Sequence, residues 1–178
     1  QSLSTNTVNW YSGNKIFSGL LIHSDAGARP GYFYAQYDGP YRIKIDHGKR
    51  IAEIGYTVLV ADLYDRGFSL ASDEAFAMMT ELKDTPEEIN RLNIVLDILA
   101  GDKHVIREKV GVVGFCYGGH CALELARIGA EIKTSISVHG TLTTTRPIVK
   151  GRTSAKVVVL NGARDPFVSL LHVIEFFK

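Results

Sequence analysis

Val110-Gly-Val-Val-Gly-Phe-Cys-Tyr-Gly-Gly-His120 is a run of β-branched residues that breaks at Gly114-Phe-Cys-Tyr-Gly118 and continues with helical character to Ile128. A buried strand turning sharply into a helix lifts the middle side chain of the turn clear of the sheet. Glycine on either side keeps such a turn sterically possible. The pattern predicts a nucleophile elbow with cysteine where serine usually stands, and it puts Cys116 at a helix N-terminus. There the helix dipole and unpaired backbone N–H groups favour thiolate over thiol, and thiolate is the form that attacks a carbonyl carbon. The competing reading is a small buried cysteine packed as a hydrophobe after a strand. Glycines at 114, 118 and 119 favour the elbow.

Outward from the elbow, apolar strands alternate with helices. Val8–Ser12 and Ile16–His23 read as an antiparallel hairpin turned at Gly13-Asn14, followed by a buried strand at Tyr32–Ala35 and a loop, Gln36 to Pro40. Ile43, Ile51 and Ile54, with His47 between them, predict one face of a helix ended by Gly55. Tyr56–Ala61 is the second central strand and Asp62–Gly67 its exit. Thr85-Pro86-Glu87-Glu88 supplies an N-cap, a proline at the first helical position and a capping-box glutamate. Ile89, Leu92, Leu96 and Leu99 form the face that follows. Val110–Phe115, Ile132–Val138 and Lys156–Leu160 are further strands, and residues 168–178 begin a last helix. Nearly continuous apolar strands separated by helices predict a mostly parallel sheet covered by helices on both faces, as one domain over 1–178. Chemistry in such a sheet gathers beyond the C-terminal ends of its strands.

The chain has 178 residues, 46% of them hydrophobic and 22% charged, enough for a proper core. A net charge of +1 and no basic run interleaved with aromatics argue against a nucleic-acid partner. No apolar stretch approaches a membrane span, so a small-molecule partner is expected, on a monomer or weak homo-oligomer. Cys116 and Cys121 are too close along the chain to staple the fold, which predicts free thiols and a cytoplasmic location; a chain beginning at Gln1 leaves a secreted or periplasmic protein open.

The segment Leu160-Asn-Gly-Ala-Arg-Asp165-Pro-Phe-Val carries an acid just beyond a strand, later in the chain than the nucleophile, where an elbow hydrolase keeps the acid that orients its base. The alternative for Asp165 is an N-cap of the final helix. Gly114-Phe-Cys-Tyr-Gly-Gly119, Gly162-Ala-Arg-Asp-Pro-Phe-Val168 and Ala61-Asp-Leu-Tyr64 together resemble the dienelactone hydrolase family, from Val8 onward. The resemblance implies an α/β-hydrolase-like fold and hydrolysis of small esters or lactones through a Cys116 acyl-enzyme, without metal or organic cofactor. It implies that Asp165 orients a histidine and that the backbone N–H groups of Tyr117 and Tyr37 form the oxyanion hole.

Two departures accompany it. Gln36 stands where the family has a glutamate that manages the cysteine proton, with Asp38 two residues on as a substitute or a solvated loop residue. The family histidine follows the acid by a few tens of residues, so it is expected outside this chain, truncated at its C-terminus and leaving the fifth strand as an apolar edge. His139 lies on the active-site side as a pocket residue or an unexpected base, His172 is a surface or packing histidine, and Arg66 either meets a substrate carboxylate or is merely solvated. The departures keep two alternatives in view: a catalytically impaired binding or thiol-redox-responsive protein, and acyl transfer or thioester hydrolysis on the same fold.

Overall fold

The computed structural model describes residues 2–36, 41–66 and 71–178. Seven strands form one sheet in the order β1-β2-β4-β3-β5-β6-β7. The hairpin β1 (Leu3–Ser12) and β2 (Lys15–Ser24) lies antiparallel at one edge. β4 (Thr57–Ala61), β3 (Arg29–Gln36), β5 (Val105–Phe115), β6 (Thr134–Val138) and β7 (Lys156–Leu160) run parallel beside it. From β3 the chain winds outward to β4, then returns across β3 to β5 and winds the other way. The topological switch point therefore falls between the C-terminal ends of β3 and β5, where ligands gather in open α/β sheets.

Strand alternation builds two cores. Phe33, Ala35, Leu59, Ala61, Val110 and Val112 face one side, under α3 (Pro86–Gly101) and α4 (Tyr117–Arg127). Tyr34, Val58, Val60 and Val113 face the other, under α1 (Tyr41–Glu53). Period-two burial on both faces explains why these strands read as unbroken apolar runs. α4 is buried at every position, including Glu124 and Arg127, which pair with each other.

Several expectations need correction. Ile43 and Ile54 are exposed; α1 instead buries Ile45 and Ala52. It crosses the sheet at Gly48, where a Cβ would lie 2.8 Å from Ile22 Cδ1 and 2.9 Å from Val60 Cγ2. A helix not foreseen, α2 (Ser72–Leu82), precedes α3 and buries only Ala75 and Leu82. The α3 N-cap holds, since Thr85 Oγ1 accepts the Glu88 N–H at 3.3 Å. The Glu88 carboxylate does not complete a capping box; it turns into the protein, 1% exposed. β7 is an open edge with Val157, Val158 and Leu160 exposed, as expected. No helix among the described residues is long and apolar enough to cross a membrane.

Candidate active site

Sheet register assembles the site. Gln36 of β3, Phe115 of β5, Val138 of β6 and Leu160 of β7 lie side by side in one row. The next residues of β5 and β6, Cys116 and His139, leave the sheet together. Their N–H groups still donate sideways, Cys116 to Val138 O at 3.1 Å and His139 to Leu160 O at 2.8 Å. Neighbouring strands are about 4.8 Å apart, so Cys116 and His139 stand next to each other just above the sheet.

Both residues have left-handed backbones, φ 56° at Cys116 and 53° at His139. Such conformations cost about 1–3 kcal/mol for a side-chain-bearing residue and persist only where the surroundings enforce them. At Cys116 the enforcement comes from the flanking glycines. A Cβ on Gly114 would lie 1.8 Å from Gly118 O, and one on Gly118 would lie 1.9 Å from Ala35 O. A Cβ on Gly119 would lie 2.6 Å from Ser137 Oγ and 2.7 Å from Gly140 Cα. Cys116 is half-buried, whereas Cys121 is fully buried, with its thiol pushed up by that burial and by Glu88.

Asp165 reaches this row from the loop after β7. Its Oδ1 accepts the N–H groups of Phe167 at 2.8 Å and Val168 at 3.1 Å, and its Oδ2 hydrogen-bonds His139 Nδ1. Burial alone would raise the Asp165 carboxyl; the Phe167 N–H, the His139 ring and the Val168 N–H outweigh it and hold the group below the usual carboxylate range. Asp165 is not the cap of α5 (Leu170–Phe176), because Ser169 Oγ accepts the His172 N–H at 3.3 Å. His139 is 41% exposed at the side chain, with Nδ1 committed to Asp165 and its ring edge-on to Phe167. His172 sits on α5, lining a groove of about 510 Å³ with Leu123, Leu142 and Phe176.

Gln36 ends β3 with its Oε1 accepting from Tyr34 Oη at 3.0 Å, and Tyr34 Oη also meets His47 Nδ1 at 2.7 Å. The phenol has one proton to give, so His47 presents Nδ1–H to it. Burial, then the nearby Cys116, push the Tyr34 hydroxyl far up, which keeps it protonated. Nothing in the sequence linked His47 to this end of the sheet. Arg66 is exposed. Tyr37, Asp38 and Gly39 lie outside the described residues.

Beneath the elbow is a buried polar cluster that sequence reasoning missed. Tyr117 Oη donates to Glu88 Oε2. Glu88 Oε1 meets His120 Nε2 and Arg146 Nη1, both at 3.3 Å. Arg146 Nη1 also donates to Glu124 Oε2 at 2.9 Å, and Arg127 Nη1 and Thr144 Oγ1 donate to Glu124 Oε1 at 2.6 Å each. Asp84, Glu88, His120 and Glu124 bring ligand-type atoms within 4.8 Å of one another. Arg146 is wedged between the two glutamates and Lys83 pairs with Asp84 at 2.6 Å, so protein cations already answer these carboxylates. Burial of Glu124 would raise its carboxyl, but Thr144, His120, Arg146 and Arg127 outweigh it and lower it. A lowered folded-state pKa means that this stabilisation is complete above the usual carboxylate range and is lost as pH falls through the folded value. Glu124→Gln, which takes the carboxylate charge from Arg127 and one of the two carboxylates from Arg146, is expected to cost about 3 kcal/mol at neutral pH. Thermal melts from neutral to acid pH check this: the variant should also show a shallower decline below about pH 5 than the parent.

The dienelactone hydrolase family model matches residues 41–178, a span that holds the elbow, His139 and the Asp165 loop. The chain belongs to the dienelactone hydrolase family. Among solved structures similar to this family member, m3DLH has a TM-score of 0.87 at 26% identity, covering 98% of this chain and 75% of that one. A dienelactone hydrolase-like promiscuous phosphotriesterase from metagenomic libraries has the same TM-score and identity, covering 99% and 77%. An uncharacterized Caenorhabditis elegans protein is 36% identical over 90 residues, 49% of this chain and 57% of the relative. A Bradyrhizobium protein named as a probable 2-oxo-3-(5-oxofuran-2-ylidene)propanoate lactonase is 24% identical over 139 residues, 72% of this chain and 56% of the relative. The chain thus spans little more than half the length of the curated relatives it matches.

Proposed function

We propose that this dienelactone hydrolase family member hydrolyses small esters or lactones through an acyl-enzyme on Cys116. The observation that carries the reading is the Asp165–His139 pair beside Cys116, with the acid on Nδ1 and the other ring nitrogen left for chemistry. The acid–histidine contact is that of a nucleophile–histidine–acid triad, and the strand register brings Cys116 alongside it. The Cys116 thiolate adds to the carbonyl carbon, and the oxyanion is held by the N–H of Tyr117, at the first position of α4, with the second donor assigned to Tyr37 on the family resemblance alone. The carbon–oxygen bond to the leaving alcohol breaks as His139 gives that oxygen a proton, leaving a thioester. His139 then takes a proton from water, the hydroxide adds to the thioester, and the carbon–sulfur bond breaks to return the thiolate and release the acid. Thiolate chemistry suits substrates with good leaving groups, and the lactonase-named relative supports a strained or activated ester.

Turnover of p-nitrophenyl acetate by the protein and by His139→Gln and Asp165→Asn tests the assignment. Each substitution should lower kcat by about 10²–10⁴, and the double variant should be no slower than the worse single one, as expected of groups acting as a unit. Full turnover in His139→Gln together with loss in Asp165→Asn would show that Asp165 serves a different histidine. Cys116 that is alkylated by iodoacetamide in a protein that turns over no ester would replace the hydrolase with the thiol-responsive reading.

A further inference from the structure

Tyr117 follows the nucleophile, and its side chain is held far more firmly than packing alone requires. The ring is 3% exposed and lies between Tyr64, stacked at 6.4 Å and 22°, and His120, stacked at 5.7 Å and 20°. Its hydroxyl donates to Glu88, a carboxylate that is itself 1% exposed. Burial first, then Cys121 and Glu88, push the phenol far up, so it stays a donor. Glu88 is fixed from its other side by His120 and Arg146, and Arg146 is tied to Glu124 and to Thr85 O.

A tyrosine at this position has two separable ends. The backbone N–H is one of the unpaired donors of the first turn of α4 and points out of the helix start. The hydroxyl, at the far end of the residue, is anchored on α3. Hydrogen bonds to a buried carboxylate are short, strong and directional. The anchor therefore fixes where the residue sits, and with it where the N–H sits, beside a cysteine whose φ of 56° is strained.

We propose that Glu88 is a positioning residue for the oxyanion hole, acting through the Tyr117 hydroxyl to hold the Tyr117 N–H where the negative oxygen develops. Arg146, which holds Glu88 and Glu124 together, keeps that anchor in place. The inference rests on the acyl-enzyme reading of Cys116, and its test separates the two.

Two reactions of Cys116 are compared in the whole chain carrying Tyr117→Phe, which keeps the ring and removes only the hydroxyl. Alkylation by iodoacetamide consumes the thiolate without forming an oxyanion, whereas p-nitrophenyl acetate hydrolysis forms one. Tyr117→Phe should alkylate at the parental rate and lose about tenfold in kcat with KM unchanged, since a donor matters most where charge develops. Glu88→Gln should give the same split, and the double variant should be no slower than either single one. Equal losses in alkylation and hydrolysis, or no loss in kcat, would overturn the positioning role. If the parent shows no cysteine-dependent turnover, the acyl-enzyme reading fails instead; p-nitrophenyl acetate hydrolysis by Cys116→Ala decides this beforehand.

Discussion

Cys116→Ala is expected to reduce ester turnover by about four orders of magnitude while leaving the fold intact. The side chain is short and half-buried, so its removal takes away one sulfur and opens no cavity in either core. Alanine shares the β-carbon of cysteine and so meets the left-handed φ at the same steric cost. The elbow is held by Gly114, Gly118 and Gly119, none of which changes. Loss of turnover can then be read as loss of the nucleophile. The measurement is p-nitrophenyl acetate hydrolysis beside a thermal melt, with a Tm within a few degrees of the parent as the internal control. Residual turnover near the parental rate would mean that hydrolysis is carried elsewhere.

Gly118→Ala should be as severe for a different reason. Residue 118 is in the first turn of α4, where alanine is a better helix former than glycine by about 1 kcal/mol. Local propensity therefore predicts stabilisation. Against it, the new Cβ would sit 1.9 Å from Ala35 O and 2.3 Å from Ala35 C, the backbone of a central strand that is paired on both sides. No rotamer relieves a backbone contact, so β3 or α4 must move, and with them the strained turn at Cys116. Loss of soluble, cooperatively melting protein is the expected result. Gly101→Ala is the matched control: a Cβ there meets nothing within 4 Å, and the substitution should be neutral or mildly stabilising. A Gly118→Ala protein that melts like the parent would refute the steric account.

The elbow and the Asp165 loop were legible because each is written in consecutive residues: a β-branched run, a glycine frame, an acid just past a strand. The pairing of Asp165 with His139 was not, since the two are 26 residues apart and meet only because β6 and β7 are neighbours in register. Glu88 shows the converse. Thr-Pro-Glu-Glu spells a helix start correctly, yet the pattern is silent about a tyrosine 29 residues later and an arginine 58 residues later that draw the carboxylate inward. Ile43 and Ile54 misled because the face that α1 lays on β2 and β4 is formed by Ile45, Gly48 and Ala52, with Ile51 packed beside them. α2 was legible in Ala75, Met78, Met79 and Leu82, which recur at helical spacing and are buried or packed on the core, but the stripe is short and its helix starts without a side-chain cap.

The row formed by Gln36, Phe115, Val138 and Leu160 makes the spacing of the candidate site a matter of counting. Cys116 and His139 each come one residue past the row, and Asp165 five. A single inserted residue within β6 would advance His139 by about 3.3 Å and swap the faces of every side chain beyond the insertion, because strand geometry has no smaller step. Loops leaving the sheet can lengthen freely during divergence, while the strands that end at the row are locked to integer length. Such a catalytic frame tolerates new substrates more readily than a change of one residue in β5, β6 or β7.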